Sequence, residues 1–400
     1  MNTEPRTMNE TLKLAQSLES EVAQFLRDII AIPSLSAEEG PVIQRIKTEM
    51  EKIGFEETRI DGLGNLMGRI GNGPRVVVID SHCDTVDVGN PDLWKVDPFK
   101  GDFRDGIIYG RGACDLKGGL SSSVYAGKIL KQIGVPDDVT LWVSCTVQEE
   151  DCDGLCWKYI IEEENFRPDV VLLTEPTNCN IYRGQRGRME IKVKTEGLSC
   201  HGSAPERGVN AIYKMAPIIK EIEELNTRLK DDPFLGKGTV TISDVQSTSP
   251  SLCAVADSCT IHLDRRLTAG ETIDTALDEI RTLPSFQEAE ARVWLAEYCR
   301  ASYTGKKYPM EAYFPTWVLA EDHPFLTTAV QSYQALFDTD PLVDKWTFST
   351  NGIATMGLHN IPTFGFGPGK EEHAHSPYEQ ITTDHLVKAM AFYAEFVRRF

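Results

Sequence analysis

Apolar residues recur with helical spacing at the start of the chain. Leu18, Val22, Phe25, Leu26 and Ile29 share one face, and Val42, Ile46, Met50 and Ile53 mark a second helix that ends near Gly54. The pattern then tightens. Near-continuous apolar runs at Arg75–Asp80, Val139–Thr146 and Val170–Thr174 predict strands buried on both faces, as in an α/β sheet. A helix begins after the Gly118-Gly119 pair and runs towards Ile133. After Gly187 the period becomes two: Met189, Ile191 and Val193 alternate with Glu190, Lys192 and Lys194, predicting a half-exposed strand. Helices over Val209–Leu229 and Glu271–Leu283 and strands over Thr260–Leu267 and Ala291–Tyr298 follow. Their order resembles the β-α-β-β-α-β layer of ferredoxin-like units. The predicted fold class is α/β, with residues 1–187 and 300–400 in one domain and an inserted α+β domain at 188–299. The chain closes on an amphipathic helix, Asp384–Phe400.

Composition narrows the function classes. The 400 residues are 41% hydrophobic and 25% charged, as in a soluble enzyme, and carry a formal net charge of -19. That charge repels nucleic acid and anionic membrane surfaces, so neither is an expected partner. Val76-Val77-Val78-Ile79, about the longest apolar run, is stopped by Asp80, far short of the roughly 20 residues of a membrane span. The polar, acid-bearing segment Met1–Glu21 does not read as a signal peptide. Ten cysteines are scattered without a paired framework, and Cys152 and Cys156 have no second pair at zinc-finger spacing. Reduced thiols in a cytoplasmic protein are the expectation.

Candidate chemistry sits where predicted strands end, the place where open α/β sheets bind ligands. His82 in Asp80-Ser81-His82-Cys83-Asp84 is a natural metal ligand, and Asp84 could orient its imidazole. Taken alone, His-x-Asp is more often structural. Asp115 lies in the glycine-rich turn Gly110–Gly119, which lacks the order of a phosphate-binding loop. Gln148-Glu149-Glu150-Asp151 follows an apolar strand; three consecutive acids there are costly unless something positive sits beside them, although a solvated loop is the simpler account. Glu175 repeats the arrangement after the next strand. His373-Ala374-His375 follows the glycine-rich Gly365–Gly369, and one ligand from this pair is expected. The set suffices for two divalent ions sharing a carboxylate. Imidazole and carboxylate donors favour zinc, with cobalt or manganese as alternatives. Of the adjacent acids Glu149 and Glu150, one can bind metal while the other serves as base.

These motifs, in this order, resemble the co-catalytic zinc hydrolases that include acetylornithine deacetylase, succinyl-diaminopimelate desuccinylase, carboxypeptidase G and the aminoacylases. The resemblance covers nearly the whole chain and adds His201–Asn210, Asp264-Arg265-Arg266 and His375 with Glu379. Tyr182–Gly187 and Gly365–Gly369 resemble the selenium-metabolism-linked branch. The resemblance implies a zinc-peptidase-like catalytic domain with a mixed sheet, and a lid and dimerisation domain at 188–299. It implies that Asp115 bridges two metals, that His82 and Glu175 complete one site, and that Glu150 and His375 complete the other. Glu149 would be the general base acting on a bridging water, with Asp84 supporting His82. His201 would polarise the scissile carbonyl in the partner subunit of a homodimer. Arg266 would bind a substrate carboxylate, and Gly367 and Asn351 would line the pocket. A cis peptide between Asp115 and Leu116 is also implied. Two departures stand out: Ser249–Ala254 lacks the family's frequent Asn, and Asn351 stands where members often carry Asp.

The expected activity is hydrolysis of the amide bond of a small N-acyl amino acid or dipeptide. Three other readings compete. One is a metal-binding paralogue without peptidase activity, which the presence of Glu149 argues against. A second is a hydrolase of carbamoyl or other linear amides. A third is a cysteine hydrolase using Cys200 and His201, which leaves the carboxylates unexplained.

Overall fold

The computed structural model describes residues 9–400, so residues 1–8 of the polar N-terminal segment lie outside the described residues. The predicted apolar runs form the centre of a nine-stranded mixed sheet. Strand β1 (Arg75–His82) lies between β2 (Val139–Thr146) and β3 (Val170–Leu173), parallel to both. Every residue of β2 and β3 is buried, which is why these runs lack alternation.

Helices cover this sheet: α1 (Glu19–Ile30), α2 (Gly40–Ile53), α3 (Lys117–Ile133) and, near the C-terminus, α6 (Thr383–Arg399). Helix α3 starts at Lys117, one residue before the glycine pair rather than after it. The pair belongs in its first turn for a steric reason. A Cβ on Gly118 would stand 2.5 Å from the Ala113 carbonyl oxygen, and one on Gly119 would stand 2.7 Å from that of Thr174. Only glycine lets the helix seat this closely on the site loops.

A second sheet contains β4 (Gly187–Glu196), β5 (Thr239–Thr248), β6 (Ser258–Leu267) and β7 (Arg292–Leu295), in the order β5-β6-β4-β7. It packs with α4 (Ala211–Arg228) and α5 (Ile273–Arg281) around a hydrophobic core separate from that of the large sheet. Strand β4 alternates buried and half-buried residues as its sequence predicts. Strand β5 is an edge strand with most residues exposed, so it carries no hydrophobic period. The run predicted over Ala291–Tyr298 splits, because Glu297 and Tyr298 leave β7 to pair with Glu311 and Met310. Tyr313 and Phe314 return to pair with Met189 and Arg188 of β4. Beyond them, β8 (Thr363–Gly365) runs parallel to β3. No helix among the described residues is long and apolar enough to cross a membrane.

Candidate metal centre

The three central strands run parallel, so their carboxyl ends deliver side chains to one place. His82 is the last residue of β1, Glu149 and Glu150 follow β2, and Glu175 follows β3. Asp115 projects from the turn before α3, where its peptide to Leu116 is cis, as the resemblance implies. His375 comes from the loop between β8 and α6.

The two carboxylate oxygens of Asp115 face different partners. Oδ1 lies 3.1 Å from His82 Nε2, which is 3.6 Å from Glu175 Oε1. Oδ2 lies 3.3 Å from His375 Nε2, which is 2.9 Å from Glu150 Oε2. Two donor groups result, His82–Asp115–Glu175 and Asp115–Glu150–His375, each with donor atoms within 4.8 Å of one another. A tetrahedral ion with bonds of about 2.0–2.1 Å needs its donors roughly 3.3 Å apart, so both groups fit a divalent metal. His373 is not in either group; its Nε2 lies 3.4 Å from Gln380 Nε2.

The surroundings hold these groups in place. His82 Nδ1 lies 3.0 Å from the Asp84 carbonyl oxygen, which can only accept, so Nδ1 carries a proton and Nε2 is left for the acids. The Asp84 carboxylate is 3.5 Å from that ring; its closer work is elsewhere. It accepts from the backbone N–H groups of Glu149 (3.2 Å) and Glu150 (3.1 Å) and from Ser36 Oγ (2.7 Å). Asp84 therefore orients the acidic pair more directly than it orients the imidazole. Glu379 does the same for Asp115: its Oε1 accepts from the N–H groups of Cys114 and Asp115, and its Oε2 accepts from Arg111 at 2.6 Å.

Electrostatically the cluster calls for cations. Burial, reinforced by neighbouring acids, pushes Glu149 and Glu175 well above the ordinary carboxylate range. Burial and the Asp115 charge push Glu150 up to about 7. Hydrogen bonds to Asp115 and Glu150 raise His375 to about 10. Burial opposes a charged Asp115, yet His375 and His82 hold its carboxyl below its usual range. Burial likewise opposes a charged His82, and the surrounding carboxylates, Glu149 foremost, outweigh it. Glu149 Oε1 and Glu150 Oε1 are buried without a hydrogen-bond partner among the described residues. Such atoms are costly unless a cation faces them.

A cavity of about 360 Å³ opens over the cluster, and its wall includes Arg188 and Arg266 from the second sheet. Sequence reasoning missed Arg188, because its role depends on a strand partner that periodicity cannot identify. Two predicted pocket residues do not line this cavity. Asn351 is buried; it donates to Asp80 Oδ2 and Thr146 Oγ1 and accepts from Gly154 N–H, so its amide ties strand ends together below the site. Gly367 is pressed against the backbone of Thr174 and Glu175, where an added Cβ would come within 2.2 Å of carbonyl oxygens. It fits the Glu175 segment rather than a ligand. His201 is exposed outside the cavity, with Nδ1 2.7 Å from Ser203 Oγ. Cys200 Sγ contacts the carbonyl oxygens of His201, Ala204 and Pro205 rather than an imidazole nitrogen, which removes the support for a cysteine–histidine pair.

Comparison with known proteins is consistent with this geometry. The profile of peptidase family M20/M25/M40 matches residues 78–399. The chain is 56% identical over 383 residues to the uncharacterized protein YgeY of Escherichia coli K12, covering 96% of this chain and 95% of that one. It is 27% identical over 383 residues to an acetylornithine deacetylase of Vibrio parahaemolyticus, covering 90% and 93%. Among solved structures, the Bacillus subtilis YXEP protein, described as a dinuclear metal binding peptidase, shares the fold with a TM-score of 0.71 at 14% identity, covering 96% and 98%.

The Glu379 contacts generate a stability prediction. Glu379→Ala leaves the Arg111 guanidinium, 3% exposed, without its carboxylate. Removing one partner of such a buried pair costs about 3–5 kcal/mol. Urea unfolding should show this loss, and an unchanged midpoint would refute the role given to Glu379.

Proposed function

The chain belongs to peptidase family M20/M25/M40, and from that membership we propose that it is a dinuclear metal-dependent hydrolase cleaving the amide bond of a small N-acyl amino acid or dipeptide. The observation that carries this reading is Asp115, whose two oxygens face two separate donor groups. His82, Asp115 and Glu175 would hold one ion and Asp115, Glu150 and His375 the other, zinc in our assignment. When bound, the two ions supply Lewis acidity at the scissile carbonyl and make water acidic enough to attack near neutral pH.

The remaining chemistry belongs to the protein. Glu149 lines the cavity and has one carboxylate oxygen without a hydrogen-bond partner among the described residues. Its burial raises its proton affinity, which suits a group that takes a proton from attacking water and then releases it. The water oxygen bonds to the carbonyl carbon, the C–N bond breaks, and Glu149 passes the proton to the departing nitrogen. Arg266 would hold a substrate carboxylate from the cavity wall.

We assign residues 1–187 and 300–400 to the catalytic domain and 188–299 to a lid that pairs with its copy in a homodimer. Support comes from the exposed edge of β5 and the exposed apolar residues Ile212, Tyr213, Val245 and Leu252. His201 lies outside its own chain's cavity, so we assign it to the partner's site, as an oxyanion donor that arrives when the lids close. Ten free cysteines and no paired framework favour the cytoplasm.

Three outcomes follow. Asp115→Ala should lose both ions in elemental analysis, and retention of two tightly bound ions would exclude a bridging Asp115. Glu149→Ala should keep its metals and lose about 10²–10⁴ in kcat; near-normal turnover of the metallated variant contradicts the base assignment. Mixed dimers of His201→Ala with Glu149→Ala should regain activity, since one site then has both groups intact. Purified mixed dimers as inactive as their parents would exclude donation of His201 across the dimer.

A further inference from the structure

Glu39 stands just before α2, is fully buried, and takes no part in the proposed chemistry. Its Oε1 accepts two backbone N–H bonds, from Ala37 at 2.9 Å and from Gln148 at 3.0 Å. Both donors are non-glycine residues in the left-handed region, with φ of 68° and 58°. That conformation is unfavourable for a residue with a Cβ and persists only where the surroundings enforce it. Gln148 immediately precedes Glu149, the assigned base.

The N–H groups around it follow one scheme. Val147 donates to Asn65 Oδ1 at 3.1 Å, Gln148 to Glu39, and Glu149 and Glu150 to Asp84. All three acceptors are fully buried side chains. Strand β2 ends at Thr146, so beyond it these side chains, not a neighbouring strand, satisfy the backbone and set its path. The Gln148 side chain is held too, donating to the Tyr298 hydroxyl at 2.7 Å. We propose that Glu39 is a positioning residue: by capturing the Gln148 N–H it holds the turn that aims Glu149 and Glu150. The inference rests on the hydrolase reading above, in which Glu149 is the base. Glu39 lies outside the cavity wall and acts only through the backbone. Asn65 does the same for Val147 with a neutral amide oxygen, so the position requires an acceptor rather than a charge.

The test uses three variants of the zinc-loaded enzyme. Glu39→Leu keeps the bulk and removes the acceptor. Glu39→Asp keeps the charge but falls short of the N–H, and Glu39→Gln keeps the reach without the charge. Amide hydrogen exchange in peptides spanning Gln148 should rise about 10-fold or more in Glu39→Leu and Glu39→Asp, and stay near wild type in Glu39→Gln. Turnover is measured on the best substrate among N-acetylalanine, N-acetylglutamate and alanylglycine. In Glu39→Leu and Glu39→Asp, kcat should fall about 10–100-fold with KM and zinc content little changed, since a misplacement of about 1 Å costs rates of that order. Glu39→Gln should retain most of the wild-type kcat. A merely structural role would lower the urea midpoint and leave kcat per folded, zinc-loaded molecule unchanged. That result, or a Glu39→Gln as impaired as Glu39→Asp, would overturn the proposal; where Glu39→Leu does not fold, the Asp and Gln variants decide it. Glu149→Ala separates the two readings. If it is inactive while Glu39→Asp has wild-type kcat, only the Glu39 role fails. If it turns over normally, or wild type hydrolyses none of the three compounds, the base reading fails and exchange alone decides: unchanged protection of Gln148 in Glu39→Asp overturns the hold on the turn, and lost protection upholds it.

Discussion

Like charges buried side by side are the constraint around which this protein is arranged. Asp115, Glu149, Glu150 and Glu175 crowd His82 and His375 at the ends of three strands, nearly all out of contact with water. In such surroundings a carboxylate either takes a proton or finds a cation, and the raised proton affinities of three of these acids express that demand. Two divalent ions would balance four carboxylates. The protein meets the cost of holding them with groups that never enter the cluster. Asp84 fixes the Glu149–Glu150 backbone, Ser36 fixes Asp84, and Glu379 with Arg111 fixes the Asp115 turn.

The architecture follows from that demand. Parallel strands end at one edge, so one sheet supplies acids and imidazole from segments more than ninety residues apart. Glycines at the start of α3 bring the Asp115 turn against the end of β3. The second sheet adds what the first lacks, cationic side chains in the cavity wall. It is also tied to the acidic loop: Tyr298 and Arg300, on the return from that sheet, bond Asp151, and Gln148 donates to the Tyr298 hydroxyl at 2.7 Å. A displacement of the second sheet would thus be felt next to Glu149 and Glu150.

Local pattern was enough for the central strands, the main helices and the residues that could carry chemistry. Runs such as Val139–Thr146 are apolar because both faces are covered, and an acid directly after such a run is costly enough to be noticed. The edge strand Thr239–Thr248 escaped, since exposure removes the period that reveals a strand. The resemblance puts Asn351 and Gly367 at the pocket, yet packing commits the Asn351 amide to Asp80 and Thr146 and presses Gly367 against Glu175.

By itself, then, the sequence determined residue types, strand ends and the order in which ligand-type side chains appear, because these depend on burial and periodicity over a few residues. The tertiary structure alone decided which of them meet. That His82 and His375 address opposite oxygens of Asp115, that Asp84 serves the acids more than the imidazole, and that Arg188 stands beside Arg266 all depend on register and long-range packing. Such contacts join positions tens to hundreds of residues apart, and no local pattern encodes which strand will lie against which.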